Sequence, residues 1–110
     1  MVSFGSNLRY YVYEGSVDMR KSFDGLQGLV VNGLGRSVLE GEVYLFFNGR
    51  RTQVKMLVCD RSGFVIYYKR LERGSFKRHG SGSIIWSDLQ TLLEGIKMDG
   101  VERRKRYERA

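Results

Sequence analysis

Apolar and polar residues alternate near the start of the chain with the period of a β-strand. Leu8, Tyr10 and Val12 share one face of residues 8–13. Aromatic and β-branched residues with a period of two are typical of a half-buried strand. The pattern therefore predicts a strand over residues 8–13.

The next segment changes to a helical period. Apolar residues recur at positions that share one helix face: Met19, Phe23, Leu26 and Val30. This spacing predicts an amphipathic helix of about four turns. We expect Asp18 to cap its N-terminus and Gly33 or Gly35 to end it.

Residues 42–69 are typical of a three-stranded antiparallel meander. The strands are predicted over residues 43–47, 54–59 and 64–69. Asn48–Gly49 is a strong hairpin signal, because both residue types tolerate positive φ. A turn over residues 60–63 joins the second and third strands. These strands are apolar on nearly both faces, so we expect helices to cover one face and leave the other open to a partner.

The remaining segments are shorter. Residues 74–83 are rich in Gly and Ser and predict a mobile loop, and residues 84–86 predict a short strand. Ser87 and Gln90 have the spacing of a capping box. Leucines then mark a short amphipathic helix, and residues 101–110 are a basic C-terminal tail.

Together these elements predict a single domain over residues 1–110 of the α+β class, an antiparallel β-meander with an N-terminal strand and two helices packed on one face. Eight period-matched residues are expected to be buried together: Phe23, Leu26, Val43, Leu45, Met56, Val58, Ile66 and Leu92.

The net charge of the chain indicates which class of partner it binds. Lys and Arg number 19 and Asp and Glu 12 among 110 residues, a net charge of +7. A basic surface attracts polyanions, and nucleic acid is the favoured candidate. An acidic protein partner and a purely solvated charge remain open.

The cations fall into several clusters. The candidate DNA-binding residues are Arg50, Arg51, Lys69, Arg70, Arg73, Lys77, Arg78, Arg103, Arg104, Lys105 and Arg106. Lys55, Arg20 and Lys21 could extend the cluster near the hairpin, and Tyr11, Tyr13 or Tyr67 could stack on bases. The tail, flanked by Glu102 and Glu108, could instead form helical ion pairs. The pattern contains no base-reading helix, so we expect contacts to phosphates rather than sequence readout.

Catalytic chemistry is not expected. A metal site needs clustered ligands, and Cys59 and His79 are the single Cys and His. We assign Cys59 to a buried strand and His79 to a loop that cannot hold a base in place. Asp18, Asp60 and Asp88 have structural interpretations as caps or turn residues, and Asp24 is expected at the surface of the first helix. The prediction is no enzyme, no metal and no cofactor.

The chain also predicts a cytoplasmic protein. A lone cysteine gives no intrachain disulfide, and residues 1–6 lack a signal-peptide pattern. No apolar run reaches the roughly 20 residues that span a bilayer, so no membrane partner is expected.

Four segments carry a resemblance to a known family. They are LRYYVYEGSVDMRKSFDGLQGLV (residues 8–30), EVYLFFNGRRTQVKMLVCDRSGFVIYYKRLERGSF (42–76), LLEGI (92–96) and RRKRY (103–107). In this order and spacing they resemble TnpB, the accessory protein encoded by the second open reading frame of IS66-type insertion sequences. The resemblance implies an accessory role beside a separate, larger transposase, and it supplies no catalytic residues.

The predicted function is therefore a non-catalytic accessory protein of DNA transposition. Its expected partners are DNA, bound without sequence preference or at the element ends, and the transposase complex. A protein–protein adaptor without DNA contact is the alternative, and a metal-dependent nuclease is a weaker one.

Overall fold

A five-stranded mixed sheet with one helix on each face forms the domain. The computed structural model describes residues 4–80 and 82–94. In chain order the elements are β1 (Arg9–Ser16), α1 (Phe23–Leu34), β2 (Glu42–Phe47), β3 (Gln53–Cys59), β4 (Phe64–Arg70), β5 (Gly82–Ile84) and α2 (Trp86–Glu94). The strand order is β4-β3-β2-β1-β5. The predicted α+β class is confirmed.

The predicted meander and N-terminal strand are both present. β2, β3 and β4 pair antiparallel in sequence, while β1 lies parallel to β2. Parallel neighbours need a crossover connection, and α1 supplies it. β5 then pairs antiparallel with the outer side of β1.

α1 begins later than predicted. Its N-cap is Ser22, and the Asp18 carboxylate instead accepts a hydrogen bond from the Arg20 backbone N–H at 2.9 Å. Asp18 is therefore a turn residue, because its side chain satisfies a nearby backbone donor before the helix starts. The predicted stop at Gly35 is confirmed: its φ is 66°, and its N–H donates to the Val31 carbonyl at 3.1 Å.

The prediction that both helices pack on one face is wrong. Leu26 and Val30 of α1 pack with Tyr44, Phe46 and Leu57. On the opposite face, α2 contributes two leucines to a larger cluster: Tyr10, Val12, Val43, Leu45, Phe47, Val54, Met56, Val58, Phe76, Ile84, Leu89 and Leu92. Alternate residues of β2 point to opposite faces and all are buried, so each apolar face requires its own cover.

The eight residues predicted to form a single core are accordingly divided between the two faces of the sheet. Val43, Leu45, Met56, Val58 and Leu92 are buried on the α2 face, whereas Leu26 is buried on the α1 face. Ile66 is partly buried beside Leu26, and Phe23, in the first turn of α1, is 41% exposed.

The β2–β3 connection differs from the prediction that Asn48 and Gly49 form its turn with positive φ. Five residues, 48–52, separate the strands. Positive φ occurs at Arg51 (57°), not at Asn48 or Gly49. The Asn48 side-chain oxygen accepts from the Thr52 and Gln53 N–H groups at 2.8 and 2.9 Å, which stabilises this longer loop.

The segment predicted to be a mobile loop is anchored. Phe76 is 1% exposed and its ring meets that of Phe47 edge-on, with centroids 5.5 Å apart. Gly82 already belongs to β5, and α2 starts at Trp86, so Ser87 lies inside the helix rather than capping it. Over the described ranges, no helix is long and apolar enough to cross a membrane.

Candidate nucleic-acid interface

Cations from three separate segments meet at one end of the sheet. Arg70 at the end of β4 pairs with Gln53 at the start of β3, which places it beside the β2–β3 loop. The Leu71 N–H then donates to the Thr52 carbonyl at 2.8 Å, and the Phe76 N–H donates to the Arg51 carbonyl at 2.6 Å. We call this surface the basic end; it comprises Arg50, Arg51, Arg70, Arg73, Lys77 and Arg78.

Most of these cations face solvent. Arg50, Lys77 and Arg78 are exposed, as are Arg70 and Arg73. Arg70 lies 3.6 Å from the Glu72 carboxylate, both side chains being well exposed. Such a surface pair is worth at most about 1 kcal/mol, so phosphate can compete for the Arg70 guanidinium.

Arg51 is different because its side chain joins two segments of the basic end. Its Nε and Nη2 donate to the carbonyls of Phe76 and Lys77, at 3.3 and 2.6 Å. Its guanidinium also lies 4.1 Å from the centre of the Phe47 ring. Burial, and secondarily the nearby Arg78, lower the pKa of Arg51. This arginine therefore fixes the position of residues 76–78 against the hairpin.

Three other predicted cations make contacts within the protein. Lys69 donates from Nζ to the Leu93 carbonyl at 2.9 Å, on the α2 face. Lys55 is buried on the α1 face, where Nζ donates to the Lys21 carbonyl at 2.7 Å. Arg20 pairs with Asp18 at 2.7 Å, and this hydrogen bond lowers the pKa of the Asp18 carboxyl to about 2. Each of these three side chains thus already donates to a group of the protein.

The four cations Arg103, Arg104, Lys105 and Arg106 lie outside the described residues.

The tyrosines predicted to stack on bases are partly buried and pack against other aromatic rings of the protein. Tyr11 stacks on Tyr44 with centroids 5.1 Å apart, and Tyr13 lies against Phe46 at 5.6 Å. The Tyr67 ring meets Phe4 edge-on at 4.7 Å.

Tyr68, which sequence reasoning missed, is a tyrosine whose ring faces solvent. It is 54% exposed, and its hydroxyl donates to the Gln53 side chain beside Arg70. The Lys55 ammonium lies 4.8 Å from its ring centre. Its position one residue after Tyr67 in an alternating strand puts it on the opposite face, which is the signal that could have identified it.

The opposite end of the sheet has a different electrostatic character. Glu42 is 2% exposed, and its carboxylate accepts from the Arg36 Nη2 at 2.9 Å, the Leu39 N–H at 3.1 Å and the Tyr44 hydroxyl at 3.1 Å. Arg9 lies 3.7 Å from the same carboxylate. Arg9, Arg36 and Glu42 are thus paired with one another at this end, whereas several cations at the basic end face solvent.

The carboxylates considered for catalysis occupy separate structural positions. Asp24 and Asp88 lie in the first turns of α1 and α2. Asp60 accepts from the Ser62 and Gly63 N–H groups in the β3–β4 turn, and these bonds lower its pKa. In the described part of the chain, no three His, Cys, Asp or Glu residues are grouped to hold a metal ion.

Cys59 and His79, the single Cys and His of the sequence, each have a local contact or environment in the fold. Burial raises the pKa of the Cys59 thiol, which disfavours the nucleophilic thiolate. A ring nitrogen of His79 lies 3.4 Å from the Ser83 carbonyl.

Comparison with known proteins identifies the family of this chain. The model of the IS66 Orf2-like proteins matches residues 8–103. An uncharacterized protein, y4hO, from Sinorhizobium fredii (strain NBRC 101917 / NGR234) is 31% identical over 100 residues, which is 87% of each chain. No solved structure matches significantly. The chain therefore belongs to the IS66 Orf2-like family, the transposition-associated accessory proteins of IS66-type insertion sequences.

Proposed function

We propose that this protein binds the sugar-phosphate backbone of DNA through its basic end, as a non-catalytic accessory component of transposition in the cytoplasm. The observation that carries the proposal is the convergence of the β2–β3 loop, the end of β4 and residues 76–78. Solvated cations that replace condensed counterions on phosphates are the main source of sequence-independent DNA affinity.

The position of the helices favours backbone contacts over base readout. Sequence-specific proteins commonly insert a helix into the major groove. Here the apolar faces of α1 and α2 are packed on the sheet, and the basic end is built from a loop, a strand end and an irregular segment. Phosphate contacts position a protein on DNA without carrying base information.

Binding of the isolated protein to duplex DNA tests this proposal. A labelled duplex from the element terminus and an unrelated duplex of equal length are titrated at several salt concentrations. We expect similar affinities for both and a linear fall of log K with log salt, by about 0.9 per neutralised phosphate. No DNA binding, together with retention of the transposase in a pull-down, would replace the proposal with the adaptor function. Divalent-metal-dependent cleavage of the duplex would replace it with a nuclease.

The basic tail enters the same experiment as a separate variant. Changing Arg103, Arg104, Lys105 and Arg106 to Ala removes four cations from a segment with few apolar residues. If they contact phosphates, the salt slope should flatten by up to about 3.6 while the thermal unfolding curve stays unchanged. Unchanged affinity and slope would show that the tail does not bind DNA, and a selective loss of transposase binding would assign it to protein contact.

A further inference from the structure

A narrow cleft opens between the end of β1 and the β2–β3 loop. It has a volume of about 270 Å³. Its walls are formed by Gly15, Ser16, Asn48, Gly49, Arg51 and Arg78. This is below the roughly 300–1,000 Å³ typical of pockets for drug-sized ligands, so the cleft suits a small group.

The backbone at Arg51 is unusual for its residue type. Its φ of 57° lies in the left-handed region that favours Gly or Asn. Hydrogen bonds to Asn48, Phe76 and Lys77 hold the residue there. An arginine kept in a conformation that glycine would adopt more easily points to a role for the guanidinium beyond closing the turn.

Within residues 4–80 and 82–94, neither guanidinium group at the cleft has a carboxylate within 4.0 Å, because the ion pairs in this part of the chain include neither Arg51 nor Arg78. Their mutual repulsion lowers the pKa of Arg51 in addition to the effect of burial. An anion between them would relieve this repulsion.

We infer that this cleft binds one phosphate group, with Arg78 as its main charged donor and Arg51 as a second, pre-positioned one. Guanidinium groups bind phosphate oxygens in charge-assisted, often bidentate hydrogen bonds. Ser16 and Asn48 also line the cleft, and the Asn48 amide is engaged with Thr52 and Gln53, which fixes this wall in place. The inference deepens the proposed function and rests on it for the source of the phosphate, a DNA strand.

Titration with inorganic phosphate, followed by ¹H–¹⁵N NMR of the full chain, tests the site itself. We expect saturable shifts of the backbone amides of Gly15, Ser16 and Gly49, with none of comparable size from chloride at equal ionic strength. Arg78→Gln should weaken phosphate binding about tenfold or more, the loss of one charge-assisted interaction. Arg61→Gln, which removes an equal charge from the exposed β3–β4 turn at the opposite end of the sheet, should leave the affinity unchanged.

A second variant alters the shape of the cleft without altering its charge. A Cβ at Gly49 would lie 3.7 Å from the Ser16 Cβ, an ordinary van der Waals distance, and Gly49 does not have positive φ. Gly49→Ala should therefore fold normally but narrow the cleft and weaken phosphate binding. Non-saturating shifts spread over all exposed cations, or equal affinity in Arg78→Gln and the wild type, would overturn the inference.

Duplexes with 5′-hydroxyl and 5′-phosphate ends distinguish the two sources of phosphate. Equal displacement of inorganic phosphate by both duplexes identifies an internal phosphodiester, and stronger displacement by the phosphorylated duplex identifies a strand end. DNA binding without any shift at the cleft would contradict the inference and leave the proposed function intact. Saturable phosphate binding at the cleft without DNA binding would support a phosphate site there and contradict the proposed function.

Discussion

Replacing Phe76 with alanine is expected to lower the free energy of unfolding by about 3–5 kcal/mol, the usual cost of removing a buried aromatic ring. The ring is 1% exposed and packs against Phe47 in the α2-face core. It also anchors the backbone that Arg51 binds, so the substitution should increase the mobility of Lys77 and Arg78. Chemical denaturation measures the stability, and amide exchange at residues 76–78 measures the local effect.

Phe64 provides the matched control. It is a phenylalanine of the edge strand β4 that is 36% exposed. Phe64→Ala should cost much less than Phe76→Ala, because less apolar surface is removed from the interior. Equal losses for the two variants would contradict the assignment of Phe76 as the anchor of the basic end.

Replacing Glu42 with alanine is expected to destabilise the fold by about 2–3 kcal/mol, since hydrogen bonds to a buried charge are lost and their donors are left unsatisfied. The Tyr44 hydroxyl and the Leu39 N–H lose their acceptor, and Arg36 loses its carboxylate. Denaturant unfolding of the variant measures the effect.

Two further substitutions distinguish the loss of the hydrogen-bond network around Glu42 from the general effect of removing a negative charge. Glu40→Ala removes an exposed carboxylate two residues away and should change stability by no more than about 0.5 kcal/mol. Glu42→Gln retains an acceptor oxygen and should fall between the two. DNA affinity should be nearly the same in all three variants, because these residues lie at the end of the sheet away from the basic end. A large loss of stability in Glu40→Ala would contradict the claim that the hydrogen bonds to Glu42 cause the effect.

Local patterns were sufficient to predict the elements but not the side on which each helix packs. The alternation in β2 and β3 shows two apolar faces, yet it does not say which helix covers which. That choice follows from the parallel pairing of β1 with β2, which makes α1 a crossover on one face and leaves α2 to cover the other. Strand pairing between distant segments has no signature in a window of a dozen residues.

In the candidate site, too, the residue types could be predicted from the sequence, but their arrangement in space could not. Sequence composition identified the cations at Arg50, Arg51, Lys77 and Arg78 but not that they converge. Their convergence depends on the β3–β4 register and on Phe76, a single apolar residue in a Gly- and Ser-rich segment. The distinction between Arg50, which faces solvent, and Arg51, which binds two carbonyls, is equally a property of the folded loop.

The measurement that tests the central claim most directly is the salt dependence of DNA affinity in two variants of equal net charge. Arg50→Gln/Lys77→Gln removes two exposed cations from the basic end, whereas Arg9→Gln/Arg61→Gln removes two exposed cations from the opposite end. If the basic end binds phosphates, the first pair should flatten the log–log slope by up to about 1.8, at 0.9 per contact. The second pair should leave the slope close to that of the wild type. Equal slopes for the two variants would contradict a DNA interface at the basic end.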